Sequence, residues 1–514
     1  MWQKNVKMTK PTDVLHPLML VGTGSDVGKS VLATALCRIF LQDGYRPAPF
    51  KAQNMALNSF ATADGKEIGR AQAVQAEAAR LQPTTDMNPL LLKPNSEHTT
   101  QVVLNGKPIG NRSAYDYFRR EGRDELRAAV GEAFDRLASR FNPIVMEGAG
   151  SVAEINLRDS DIVNMSMAKR ADADVVLVAD IDRGGVFASA YGSIMLQTEE
   201  DRRRIKGIIV NKFRGDLRLF ADGRKMLEEI CGVPVLGVVP MFHDIVIEEE
   251  DSVELERKRR QMSCGKVNVA VVLLHHISNF TDFDVLERDE RINLFYTNDV
   301  HDVETADIVI LPGTKSTLDD LSELRRNGLA QAVVRAHRAG KTIVGICGGY
   351  QMLGTMVADP DGVEGSIRQL PGLGLLPVTT VMTPRKTTEQ VCFTFDGSTC
   401  HGYEIHQGES FPDVCPDENT ADALTDVKRD DAGSRTLPKV VTAPSCIGTY
   451  VHGFFDNPSA VEYLLRPFAG KISRGARQQI STEEFKDLQY DRLAEHVRKY
   501  VDIDHLYSIM KANR

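Results

Sequence analysis

The sequence predicts an α/β protein with two successive domains, each built on a doubly wound parallel sheet. Three observations predict it. Short apolar runs at 17–21, 144–146, 174–179, 205–210 and 233–239 alternate with helix-like stretches in the first half. Such alternation is what a parallel sheet covered by helices on both faces requires. The first run enters a Gly-rich loop and then Lys29-Ser30, which opens an apolar helix pattern over 31–41. A fresh strand over 267–274 opens a second series, in which Thr342-Ile343-Val344 leads into Gly345-Ile346-Cys347-Gly348-Gly349 and a helical pattern.

Size and charge bound what such a chain can do. Its 514 residues, 42% hydrophobic and 26% charged, suffice for two or three domains. A net charge of -9 argues against nucleic acid or an anionic membrane as the main partner. The eight cysteines are scattered without CxxC pairs, the pattern of a reducing compartment rather than a disulfide framework. Residues 1–17 lack the apolar core of a signal peptide, and no apolar run reaches the ~18 residues of a membrane span. The expectation is a soluble cytoplasmic protein.

The loop Gly22-Thr23-Gly24-Ser25-Asp26-Val27-Gly28-Lys29-Ser30, set between strand and helix, is a recipe for cradling phosphates. Backbone N–H groups from Gly24 to Gly28 would ring phosphate oxygens, Lys29 would neutralise them, and the Ser30 hydroxyl would reach a metal. Thr23 stands where the common GxxxxGK[ST] pattern has glycine. The next strand, over 46–50, leads into Lys51-Ala52-Gln53-Asn54-Met55-Ala56-Leu57-Asn58-Ser59. A lysine and the amides Gln53, Asn54 and Asn58 at a strand's carboxyl end suit an acidic substrate or phosphate. Strands ending in Glu147 and Asp180 place two carboxylates where ligands of open parallel sheets sit, and hard oxygens suit Mg²⁺. A further strand ends in Asn211-Lys212.

A charged stretch without apolar periodicity, 248–266, is expected to be a linker. Past it, Cys347 sits on a strand–turn–helix elbow whose glycines permit a sharp bend and close substrate approach. A helix N-terminus beside a thiol favours thiolate. Such a nucleophile needs a base however distant in sequence, and His452, ending an apolar run, is the best of twelve histidines. His401 and His406 are expected to line or support the site. The backbone N–H groups of Gly313 and Gly348 are natural oxyanion donors. Residues 411–444 form a polar surface insertion, and the apolar periodicity after Ser481 is that of a packed amphipathic helix.

Several of these stretches resemble known families. The loop and Glu147-Gly148-Ala149-Gly150 are similar to those of dethiobiotin synthetase, which implies an ATP-dependent ligase forming an acyl phosphate, with Glu147 on Mg²⁺. Asn211-Lys212 resembles the base-reading pair of P-loop proteins, with Asn211 on the nucleotide ring; Arg214 in place of the usual aspartate removes support for guanine. The segment 50–59, Leu90-Leu91-Leu92-Lys93-Pro94 and Asp182-Arg183-Gly184-Gly185-Val186-Phe187-Ala188 resemble the signatures of the cobyric acid synthase family. By that resemblance Lys51 joins Lys29 near the transferred phosphoryl group. The second half resembles class I glutamine amidotransferases, which implies that Cys347 attacks a glutamine amide while His452 shuttles the proton. That class has His-Pro-Glu, whereas Phe454 stands two residues after His452, leaving the third member open between a dyad, Glu404 and Asp456.

The resemblance implies a P-loop, dethiobiotin synthetase-like amidoligase domain over 1–247 and a linker over 248–266. A class I glutamine amidotransferase domain would follow over 267–460, with a helical tail over 461–514. It implies ATP, Mg²⁺, L-glutamine and adenosylcobyrinic a,c-diamide as ligands, with the corrinoid as substrate. A homo-oligomer is compatible with the sequence and not specified by it. The sister cobyrinic acid a,c-diamide synthases use the same chemistry on other carboxylates, and the 51–59 segment argues against them. A non-catalytic ParA-like nucleotide switch would share the deviant loop without needing Cys347 and His452.

Overall fold

The computed structural model describes residues 13–94, 99–113, 117, 123–248, 262–413, 428–429, 435–472 and 481–511. The chain forms two compact units, residues 1–56, 66–248 and 483–514 in one and 57–65 with 249–482 in the other. The linker expected over 248–266 falls largely outside the described residues, as does much of the 411–444 insertion. Glu248 is described, and its carboxylate is buried between Arg70 and Lys486, each 2.6 Å away.

The first unit is a six-stranded parallel sheet in the order Val235–Pro240, Ile205–Phe213, Asp174–Asp180, Leu18–Gly22, Ile144–Glu147, Ala48–Phe50. Leu18–Gly22 and Asp174–Asp180 are buried along their whole length, so both of their faces carry apolar residues. One face packs on helix Lys29–Gln42 and on Tyr490, Leu493, Val497, Leu506 and Met510 of the C-terminal helices. The helix expected after Ser481 is thus Thr482–Tyr500, with Leu493 and Val497 inward and Leu488 outward. Buried Arg38 anchors it through Asp487 and Asp491, both at 2.7 Å. A smaller sheet sets Gln53–Met55 parallel to Leu90–Pro94, with Thr99–Leu104 and Lys107–Ser113 completing it antiparallel.

The second unit has its own six-stranded sheet, ordered Ile292–Thr297, Val267–Val272, Ile308–Leu311, Thr342–Ile346, Cys446–Thr449, Val440–Ala443. All neighbours run parallel except the last pair. A long hairpin, Val378–Phe395 with Ser398–Pro412, lies in a second sheet whose edge strand is Val451–His452. Among the described residues no helix is long and apolar enough to cross a membrane.

Candidate active sites: a phosphate loop and a cysteine elbow

In the first unit, strand Leu18–Gly22 lies between the strands that end in Glu147 and Asp180, so both carboxylates flank the loop that follows it. Gly28 caps the helix with φ 94°, a left-handed conformation that glycine adopts without strain. Asn211 Nδ2 donates to Val27 O at 2.8 Å, and a Cβ on Gly28 would fall 2.1 Å from that nitrogen. Asn211 therefore buttresses the backbone of the loop. Lys29 Nζ bridges Gly24 O (2.9 Å) and Gly150 O (3.0 Å), bringing the Gly-rich turn after Glu147 up to the loop. At the loop's outer side, Asp26 adopts φ 55° and faces Arg183 at 3.4 Å.

Glu147 is the centre of a buried cluster. Its Oε1 accepts from Ser30 Oγ (2.7 Å) and Lys51 Nζ (2.9 Å), and its Oε2 from Gln75 Nε2 (2.7 Å). Burial alone would raise its pKa, but the Lys51 charge and the three hydrogen bonds hold it below the ordinary carboxylate range. Asp180 Oδ1 accepts from Asp182 N at 2.7 Å. Its Oδ2 is buried without a hydrogen bond, with Lys212 Nζ 3.4 Å away. Ser30, Glu147 and Asp180 fit a hard divalent cation: all three offer oxygen, and one buried carboxylate oxygen has no hydrogen-bond donor. Gln53 and Asn54 lie on the short strand after Lys51, where Tyr117 OH donates to Gln53 Oε1 at 2.5 Å and Asn54 Nδ2 to Gln72 Oε1 at 3.1 Å. Asn58 lies elsewhere, in the second unit, with its Oδ1 2.6 Å from the backbone N of Asn279.

In the second unit Cys347 stands between strand Thr342–Ile346 and helix Gly348–Leu353 at φ 52°, ψ -111°. Such a backbone is strained for a residue with a side chain, and it persists because neighbours over-determine it. Cys347 N donates to Thr449 O at 2.8 Å, and Gln351 N to Cys347 O at 3.1 Å. The Gly-Gly after the thiol is a matter of space: a Cβ on Gly349 would sit 2.0 Å from Leu311 O. Gly348 opens the helix beside Thr314, and Gly313 lies against the imidazole, where its Cβ would be 3.3 Å from His452 Cε1.

His452 is buried and held at both ring nitrogens. Nδ1 donates to Asp282 Oδ2 at 2.7 Å, while Asp282 Oδ1 accepts from Gly453 N at 2.9 Å. Nε2 lies 3.1 Å from Asn279 Nδ2, and Tyr403 stacks on the ring. Burial opposes charge on the imidazole, but Asp282 and Cys347 outweigh it and raise the pKa to about 10. The imidazole is therefore charged at neutral pH.

At His452 Nδ1, where a third member would sit, the structure has Asp282. Glu404 instead pairs with Lys439 at 2.8 Å and His406 at 3.7 Å. His406 stacks on Tyr450, whose hydroxyl accepts from Gln351 on the elbow helix, so it stands behind the site. His401 is exposed and held through its backbone by Asn457. Asp282 escapes a sequence reading because it lies 170 residues from His452 and in no motif with it. The available signal was an acid inside an apolar stretch, Phe280-Thr281-Asp282-Phe283, following a core strand.

Residues 18–253 match the CobQ/CobB/MinD/ParA nucleotide binding domain, and residues 268–460 the CobB/CobQ-like glutamine amidotransferase domain. A cobyric acid synthase of Bacteroides fragilis is 64% identical over 97% of this chain and 99% of its own. One of Phocaeicola vulgatus is 63% identical with the same coverage. A third, of Clostridium perfringens, is 44% identical over 96% of this chain and 99% of its own.

Proposed function

The chain belongs to the cobyric acid synthase family of glutamine-dependent amidoligases, and from that premise we propose how its two sites divide the work. The first unit uses ATP to convert carboxylates of adenosylcobyrinic a,c-diamide into acyl phosphates. The second hydrolyses L-glutamine, and the ammonia released displaces phosphate to leave an amide. Four rounds, on the b, d, e and g carboxylates, give adenosylcobyric acid. The observation that supports this best is Glu147 gathering Ser30 and Lys51 at the phosphate loop, on the same chain as a cysteine elbow facing His452.

A carboxylate at neutral pH is a poor acyl donor, and phosphorylation supplies the missing leaving group. Lys29 and Lys51 place positive charge where the phosphoryl group transfers. Ser30, Glu147 and Asp180 would hold Mg²⁺, which when bound would add charge neutralisation on the phosphates. Asn211 fixes the loop and stands where it can also meet the nucleotide. Gln53 and Asn54 offer amides to the corrinoid side chains, and Asn58 is reserved for the second unit.

In the second unit Cys347 Sγ attacks the side-chain carbonyl of glutamine. His452, oriented by Asp282, delivers a proton to the departing ammonia, and water then cleaves the glutamyl thioester. The N–H groups of Gly313 and Gly348 stabilise the oxyanion. The test is product mass after incubation with adenosylcobyrinic a,c-diamide, Mg·ATP and glutamine. Four successive carboxylate-to-amide steps are expected. An unchanged substrate would remove the corrinoid from the assignment, and a product two amides short would point to different carboxylates.

A further inference from the structure

Arg183 holds a cation beside the phosphate loop, and its neighbours tie it down only loosely. It stands in the turn 181–184, closed by Gly184 N donating to Ile181 O at 3.1 Å. The strand Asp174–Asp180, next to the strand that enters the loop, delivers that turn. The Arg183 guanidinium lies 3.4 Å from Asp26 Oδ2, on the loop itself, and 3.9 Å from Asp180 Oδ2. Its side chain is 68% exposed, so these are weak contacts that a more highly charged partner can displace.

The backbone around it is fixed on one side and open on the other. Asp182 donates its N–H to Asp180 Oδ1 at 2.7 Å, and its carboxylate pairs with Arg214 at 2.6 Å. After Arg183, Gly184 and Gly185 adopt φ 78° and 71°, with no atom within 4 Å of where a Cβ would stand on either. Small changes at these two glycines can therefore re-aim the tip without disturbing the strand.

Phosphoryl transfer brings two anions together, the acceptor carboxylate and the γ-phosphate. A carboxylate oxygen bonds to the γ-phosphorus as the bond to the bridging oxygen breaks, and that electron pair leaves with ADP. Charge meanwhile spreads over the three outer oxygens of the moving group. Lys29 and Lys51 are buried, the first against Gly24 O and Gly150 O and the second against Glu147. An acceptor arriving from solvent meets the exposed side of the loop, where Arg183 lies. A guanidinium presents a flat fork that matches two phosphoryl oxygens at once, and it stays protonated throughout.

We propose that Arg183 is a further catalytic residue of the first unit, leaving Asp26 to bind the outer oxygens of the phosphoryl group during its transfer to the carboxylate. The inference rests on the first unit being the ATP-dependent ligase site. Wild-type ADP formation that requires the corrinoid tests that premise by itself, whatever Arg183 does.

The experiment follows ADP release by the full chain given adenosylcobyrinic a,c-diamide, Mg·ATP and ammonium chloride, beside titration with a fluorescent ATP analogue. Arg183→Ala should lower kcat roughly a thousandfold, as for an arginine that acts on the transition state, while affinity for the analogue stays as in wild type. Arg183→Lys, which keeps the charge and loses the fork, should fall between the two. Added guanidinium ion should restore part of the rate to Arg183→Ala and none to Arg183→Lys or wild type. Wild-type kcat in Arg183→Ala would overturn the proposal. So would a loss of rate matched by an equal loss of analogue affinity, or a rise in the KM for the corrinoid alone.

Discussion

Asp282 Oδ2 and His452 Nδ1 lie 2.7 Å apart, both buried, with 170 residues of chain between them. The carboxylate fixes the tautomer of the ring and is the largest contribution raising its pKa. It completes a Cys–His–Asp arrangement in which Phe454, not an acid, stands two residues after the histidine.

Replacing Asp282 with Asn should therefore lower glutamine-dependent amidation by ~10²–10⁴, the range lost when a general acid–base group is misoriented. Amidation from ammonium chloride should be unchanged, since the first unit needs no glutaminase. The pH profile carries a sign as well. Wild-type activity should fall as pH rises through about 10, where the imidazole gives up its proton. Without the carboxylate, burial dominates, and that alkaline limb should move to lower pH. Glutamine turnover followed across pH in both proteins checks this.

The buried Lys51–Glu147 pair predicts an asymmetric stability response. Lys51→Met leaves a buried carboxylate uncompensated, at a cost of about 3–5 kcal/mol. Lys51→Met with Glu147→Leu should recover much of that loss while remaining inactive as a ligase. Glu147 has a depressed pKa, so its contribution is present at neutral pH and lost as pH falls below the ordinary carboxylate range. Denaturant unfolding of the three proteins at neutral and acid pH separates these effects.

Asn211 acts on the phosphate loop through one hydrogen bond to Val27 O. Asn211→Ala should weaken ATP binding by roughly tenfold, the worth of that bond, with little change in glutamine hydrolysis. Titration with a fluorescent ATP analogue measures it.

Ending the chain after residue 481 should unfold the first unit. Leu493, Val497, Leu506 and Met510 are each buried to within 1% of completely, and each contributes about 1.5–3 kcal/mol. Arg38 would also lose its ion pairs with Asp487 and Asp491. Loss of the nucleotide-binding unit's thermal transition is the expected outcome; an unchanged transition would show the helices to be dispensable.

What could be read from the sequence was whatever is local. The phosphate loop, the strands ending in Glu147 and Asp180, and the cysteine elbow are contiguous patterns whose geometry follows from strand, glycine and helix in succession. The third member of the glutaminase site was not legible, because Phe283 and Phe280 make the Asp282 stretch look like ordinary core. Nor was the crossing of residues 57–65 into the second unit. Asn58 looks like one more amide after Lys51, and only the folded chain sets it on Asn279. The C-terminal helix showed its apolar stripe, but the stripe does not name Arg38 and the first sheet as its partners.

The central claim is that ammonia is made by Cys347 and used by the ATP-dependent unit of the same chain. The most direct test is product mass from Cys347→Ala given adenosylcobyrinic a,c-diamide and Mg·ATP, with glutamine in one lane and ammonium chloride in another. The account predicts the full amide ladder from ammonium and none from glutamine. A ladder from glutamine, or no product from ammonium by a variant that still binds ATP, would contradict it.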